Sequence, residues 1–302
     1  MAGGINRRLV RFFELAKASV DSFQERKAGR LAAALAFDAL LSMAPIAFLV
    51  IFVAGLLLGD AEVMNVVQEQ ISELMGPQAA ELVENMVQNI HEPNGGLMGT
   101  VIGLVALIWG SSSLYVHLHE ALNALWGVGP RAGGGLIRTI ILRVTSVLIV
   151  LGFGILLFLM IVLNTLFVAL GAELEPVLPF SLLVMRIIQF IVYFGFLFLL
   201  LAIMYKFVPD VHIVWHDIWI GAAVTSVLFL IGQVGVAIYV SQVDFTDLWG
   251  AAGVVIVFLV WIFFSAQILF LGAQFTYEYA NRYGPPIVAK YGEQDAEKLG
   301  TE

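Results

Sequence analysis

Residues 178–207, LPFSLLVMRIIQFIVYFGFLFLLLAIMYKF, decide how this chain is to be read. The stretch is nearly all apolar, and Arg186 is its single charge before Lys206 at the end. About 20 apolar residues, rising 1.5 Å each, suffice to cross the hydrocarbon of a bilayer, so this stretch predicts a membrane-spanning helix. Arg186 lies too deep for easy reach to water and is expected to face protein or a wet cavity. Gln189, three residues on, shares its helical face.

Working outward, the whole chain has the same character. It is 60% hydrophobic and 13% charged, with a mean hydropathy of +0.94. A soluble domain is about 45–50% apolar, so water is not the main solvent here. Five further apolar runs flank the first, giving spans of approximately 31–59, 97–126, 136–170, 178–207, 218–240 and 248–279. The expected fold is all-α: an integral membrane domain of six transmembrane helices over 31–280. Residues 1–30 precede it and 281–302 follow as a polar cytoplasmic tail. No extramembrane stretch is long enough for a second large globular domain, and the charged opening does not resemble a cleavable signal peptide.

Ile5 to Gln24 is amphipathic, with Leu9, Phe12, Phe13, Ala16, Val20 and Phe23 at helical spacing among Arg7, Arg8, Arg11 and Lys17. That pattern suits a helix lying in the headgroup plane against anionic lipid. It equally suits a helix packed on the ends of the bundle. In the first span, small residues from Leu31 to Ala36 permit close helix approach, and Pro45 predicts a kink. Asp38 is a second charge at membrane depth. Residues 60–96 are acidic, with two short amphipathic stripes split by Gly76-Pro77; they predict two short extracytoplasmic helices capping the bundle. Trp126, ending the second span, is expected at the membrane interface.

Charge sets the orientation. Fourteen of the fifteen Lys and Arg residues fall in the terminal segments, the two loops on their side or the adjoining ends of the spans, while the opposite loops carry eleven acids and no base. The positive-inside rule then makes both termini cytoplasmic. Arg186 is the exception, in the outer half of its span. On antiparallel helices, Asp38 and Arg186 are expected to meet near mid-depth, either as a structural lock or as part of a site.

Other chemistry is sparse. Without cysteine there are no disulfides and no thiolate metal sites. His117-Leu118-His119-Glu120 is the only cluster of metal-ligand types, but histidines at i and i+2 on a helix point apart, unlike the i, i+4 pair of a zinc helix. Gly133-Gly134-Gly135 lacks the Lys-Ser/Thr of a phosphate loop. No metal, cofactor or catalytic residue is assigned. Gln267 and Gln274, seven apart, share a face and are expected to line a groove beside Arg186, Gln189 and Asp38.

Ala36-Phe37-Asp38-Ala39-Leu40-Leu41-Ser42-Met43-Ala44-Pro45, Ala121-Leu122-Asn123-Ala124-Leu125-Trp126 and Tyr205-Lys206-Phe207-Val208-Pro209 together resemble the YihY/BrkB family of bacterial inner-membrane proteins, once labelled ribonuclease BN. Gly221-Ala222, Tyr239, Gly250-Ala251-Ala252-Gly253, Trp261 and Leu271-Gly272-Ala273-Gln274 extend the likeness over nearly the whole chain. Two positions depart from it: Phe37 stands where many members have an aromatic hydroxyl, and Gln274 where the motif usually ends in Glu. The resemblance implies six transmembrane helices, multi-pass insertion in the bacterial inner membrane, and links to serum resistance and to export of lipid-like molecules.

The reading that results is a transporter or flippase-like protein for a lipophilic or lipid-linked anionic substrate, not an enzyme. Its expected partners are membrane lipids, with anionic lipid at the cytoplasmic face, and not nucleic acid; a homo-oligomer stays open. The rival is a structural or interaction membrane protein, and a nuclease ranks third.

Overall fold

A computed structural model describes residues 2–42, 81, 96–129, 181–242, 251–285 and 287–290, and, between 146 and 167, residues 146, 149, 152, 154–156, 159, 160, 162, 163 and 165–167. The expected acidic cap over 60–96 (except Glu81 and Gly96, which are helical), Pro45, Asn164 and the acidic turns near 173 and 244 lie outside these residues. The described chain is helical almost throughout. In order it forms α1 (Ala2–Glu25), α2 (28–42), α3 (Gly96–Leu125), the helical residues between 146 and 167 (α4), α5 (Ser181–Phe207), α6 (Trp215–Gln242) and α7 (Ala251–Tyr283).

Among the described residues, three helices are long and apolar enough to cross a bilayer: Val184–Phe207, Trp215–Tyr239 and Val255–Tyr283, with mean hydropathies of 2.6, 2.0 and 2.5. Only 17–22% of the residues in their most apolar windows is fully buried, and apolar side chains such as Ile187, Ile191, Ile231 and Val234 are exposed. Such a surface suits hydrocarbon and not water.

What holds these helices together is close backbone approach. On α6, Thr225 Oγ1 donates to the Gly221 carbonyl at 2.7 Å; on α7, Thr276 Oγ1 donates to the Gly272 carbonyl at 2.8 Å. The two Gly-xxx-Thr units face each other reciprocally. A Cβ on Gly221 would fall 1.8 Å from Thr276 Oγ1, and one on Gly272 would fall 1.9 Å from Thr225 Oγ1. In lipid, where burying apolar surface gains little, small residues that let backbones touch are the main source of helix association.

The ends of several elements converge. α3 stops at a Schellman turn, in which Gly127 (φ 74°) allows Val128 N to donate to Asn123 O at 2.9 Å and its own N to donate to Ala124 O at 3.2 Å. Trp126 Nε1 donates to Ala273 O at 3.0 Å, and Gln274 Nε2 donates to Leu125 O at 2.8 Å. Arg26, in the turn between α1 and α2, donates to Leu125 O and sits 4.6 Å over the Tyr277 ring. The core of this end is built from Leu122, Leu125, Leu201, Tyr205, Phe270 and Ala273. Arg26, Lys206, Arg282 and Lys290 all lie here, and it is called the basic end below. Trp126 is therefore not an interface anchor: it is 3% exposed, because its indole N–H is needed to satisfy a carbonyl of α7.

Of the two readings of the opening helix, packing on the end of the bundle is the one the contacts show. α1 lies across the basic end of α7, with Phe12 6.1 Å from Phe275, Ser22 Oγ donating to Glu278 Oε1 at 2.6 Å and Glu14 4.0 Å from Arg282. Its Val10, Phe13 and Val20 stay exposed. The segment after α7 does not simply trail away as a polar tail. Val288–Ala289 (β2) pairs antiparallel with Val211–His212 (β1) in the loop between α5 and α6, with Val211 opposite Ala289. Two residues per strand leave no periodicity for a sequence pattern to show.

Candidate functional site

The polar residues of α3 fall on two faces. Helical spacing puts Gly110, Ser113 and His117 on one and Tyr115, His119 and Asn123 on another. The first face meets α2, whose buried stripe of Ala28, Ala32, Leu35, Ala39 and Ser42 brings the two helices close. Ser42 Oγ donates to Gly110 O at 2.8 Å and lies 3.0 Å from Ser113 Oγ. About a turn nearer the basic end, His117 Nδ1 is 2.6 Å from Asp38 Oδ2. The His117 side chain is 44% exposed and that of Asp38 18%, so the pair is open along one side.

The second face meets the loop after α5. His119 Nε2 is 3.2 Å from Asp210 Oδ2, and Asn123 Oδ1 accepts from Asp210 N at 2.8 Å. Tyr115 stacks on His119 with ring centroids 6.1 Å apart. The chain after β2 secures the same loop from behind: Lys290 N donates to Asp210 O at 2.9 Å and Lys290 Nζ to Pro209 O at 3.1 Å. The two histidines diverge as their i, i+2 spacing predicts, each toward its own carboxylate.

Arg186 is elsewhere. It lies five residues into α5, at the end remote from Phe207, and its side chain is exposed. His117 stands eight residues from the end of α3, so Asp38 is about 12 Å from the basic end, whereas Arg186 is about 30 Å from it. The expected Asp38–Arg186 contact therefore does not form: the two groups differ in depth by about 20 Å, and Asp38 has His117 instead. Near the end of its helix, Arg186 is placed to lay its aliphatic stem along apolar surface and lift its head to the interface. The expected common groove dissolves in the same way. Gln189 is half-buried three residues after Arg186. Gln274 is fully buried at the basic end, bonded to Leu125 O, with its Oε1 unpartnered among the described residues. Gln267 is half-buried on α7 between those levels. The hydrophobic count gave no clue to the His119–Asp210 link; the signal present was the i, i+4 pair His119/Asn123 and the Asp210 that follows Pro209.

The arrangement is a ladder of hydroxyls and a carboxylate–imidazole pair at the contact of α2 with α3. Such a pair can hold or pass a proton and can meet a polar group entering from its open side.

The class defined so far is a multi-helix membrane protein. The family model for "Virulence factor BrkB" matches residues 19–297, and the chain belongs to that family. Relatives called "UPF0761 membrane protein" include one from Psychrobacter sp., 25% identical over 280 residues, covering 88% of this chain and 48% of the relative. One from Ralstonia nicotianae is 29% identical over 176 residues, covering 58% of this chain and 38% of the relative. One from Pseudomonas aeruginosa is 25% identical over 264 residues, covering 86% and 61%. The chain thus spans roughly two-fifths to three-fifths of the length of these relatives. No solved structure matches it.

Proposed function

We propose that this protein moves a lipophilic or lipid-linked anionic substrate across the bacterial inner membrane, as a transporter or flippase and not as an enzyme. In this reading six helices span the bilayer, both termini are cytoplasmic, and the basic end faces the cytoplasm. Anionic lipid, and not nucleic acid, is what its basic residues meet there.

The observation that carries the proposal is the Asp38–His117 pair, at 2.6 Å and open on one side within an apolar helix bundle. Ionisable side chains at membrane depth are costly to keep and are most often retained for a pathway or a proton relay. A carboxylate–histidine pair gives a moving headgroup a polar foothold, and the Ser42–Ser113 hydroxyls extend it deeper along the same contact. Arg186, near the opposite interface, is placed to meet the headgroup at the other end of its path.

The test is purified protein in vesicles carrying a fluorescent anionic phospholipid, with leaflet exchange followed by dithionite quenching. Wild-type protein is expected to accelerate exchange, and Asp38→Asn to lower that rate at least tenfold while Tm in detergent moves by only a few degrees. Unaltered exchange in the Asp38→Asn protein would remove the pair from the route. No acceleration by wild-type protein for any lipid class would favour a structural role.

A further inference from the structure

α5 and α6 are joined by a ladder of rings. Phe198 stacks on Trp219 at 5.1 Å, Trp219 on Trp215 at 5.6 Å, and Phe207 meets Trp215 edge-on at 6.1 Å. Three of its rings are exposed, Phe207 at 60%, Trp215 at 40% and Trp219 at 38%, while Phe198 at its foot is half-buried against the core. Its upper rungs mark a boundary, because one candidate span ends at Phe207 and the next begins at Trp215. Trp219 is one turn deeper, about 6 Å, and Phe198 lies about 13 Å below Phe207. Exposed indoles at that level are what a headgroup boundary selects.

Lys206 stands at the top of the ladder. Its Nζ donates to Ile213 O at 2.6 Å and lies 5.5 Å from the centre of the Trp215 ring. An ammonium has three donors, so one bond to a carbonyl leaves others for an anion. Among the described residues no carboxylate pairs with it: Asp210 Oδ2 lies 3.2 Å from His119 Nε2, and Asp217 is buried. A fixed cation with no carboxylate partner among the described residues, above a strip of largely exposed rings that descends into the hydrocarbon, matches one molecule in both its parts.

We propose that Lys206 and the Phe207–Trp215–Trp219–Phe198 ladder hold an anionic phospholipid, its phosphate on Lys206 and an acyl chain along the rings. This deepens the reading of anionic lipid as a partner, and it stands whether or not the protein transports anything. One lysine near an anionic surface is worth about a fivefold preference.

The experiment is native mass spectrometry of the full chain in detergent with added phosphatidylglycerol or phosphatidylcholine. Wild-type protein is expected to retain phosphatidylglycerol about fivefold more. Lys206→Gln should bring the two lipids to parity, Lys206→Arg should keep the preference, and Trp219→Ala should lower retention of both. Because Lys206 also ties the loop at Ile213, Trp215→Ala serves as the second variant: it leaves that tie intact and should still weaken phosphatidylglycerol retention. Equal retention by wild-type protein, or a preference untouched in both Lys206→Gln and Trp215→Ala, would overturn the site. Displacement of the lipid by millimolar glycerol phosphate alone would also overturn it, since a free phosphate and not a phospholipid would then be the ligand. Lipid retention does not depend on leaflet exchange, so the two proposals fail separately.

Discussion

The basic end of the bundle and the far half of α5 and α6 are made of similar helices, yet they are held in different ways. At the basic end, indole, amide, guanidinium and hydroxyl donors each find a named acceptor on another element: Trp126 to Ala273, Gln274 and Arg26 to Leu125, Tyr205 to Leu269. In the far half, Val184, Ile187, Phe190, Ile191, Ile231, Val234 and Ile238 turn outward, and Gln233 Nε2 donates to Tyr193 Oη at 2.8 Å. Hydrocarbon solvates an isoleucine about as well as a protein core does, so outward apolar residues cost nothing there and inward ones gain little. Cohesion has to come from close packing and from polar groups that have no alternative partner. The basic end has both, and the only charge in the far half of α5, Arg186, sits at its rim.

The largest expected effect tests the Gly–Thr contact. Gly272→Val would drive two methyl groups into Thr225 and should cost about 1–3 kcal/mol, read as a clear fall in Tm in detergent. Gly235→Ala, with nothing within 4 Å of the added carbon, is the control and should be neutral or slightly stabilising. If the two behaved alike, the claim that cohesion is concentrated toward the basic end would fail.

A smaller effect tests the loop clamp. Asn123→Ala removes the acceptor for Asp210 N and should cost about 1–2 kcal/mol. Cleavage by added protease is then expected to rise in the 208–214 loop before any other described segment, and an unchanged cleavage pattern would show that Lys290 and β2 suffice to hold it. The smallest effect belongs to the far half: Val234→Ala should shift stability by less than about 0.5 kcal/mol in detergent, and a larger loss would reveal a packing partner for that exposed face.

Much of this architecture was legible in the sequence. The apolar runs at 97–126, 178–207, 218–240 and 248–279 correspond to helices Gly96–Leu125, Ser181–Phe207, Trp215–Gln242 and Ala251–Tyr283 within a few residues. The divergence of His117 and His119 followed from their spacing alone. Less of the site could be read. Asp38 was singled out, but with Arg186 as its partner, and a pattern of one helix says nothing about the depth at which another places its charge. The rule that sends indoles to the interface holds for exposed ones, whereas Trp126 is a buried donor to Ala273. The Lys290–Asp210 link joins positions eighty residues apart through two-residue strands, which leave no pattern to detect.

Residue by residue, the chain fixes where it prefers oil to water, because partition between the two is a sum over local side chains. That is enough to set the helices, their approximate lengths and the one-sided gathering of basic charge. Which donor meets which acceptor depends on the rotation and vertical offset of each helix against its neighbours. Those offsets are set by small-residue contacts such as Gly221–Thr276 and Gly272–Thr225, and only the assembled structure could pair Asp38 with His117 and leave Arg186 at the rim.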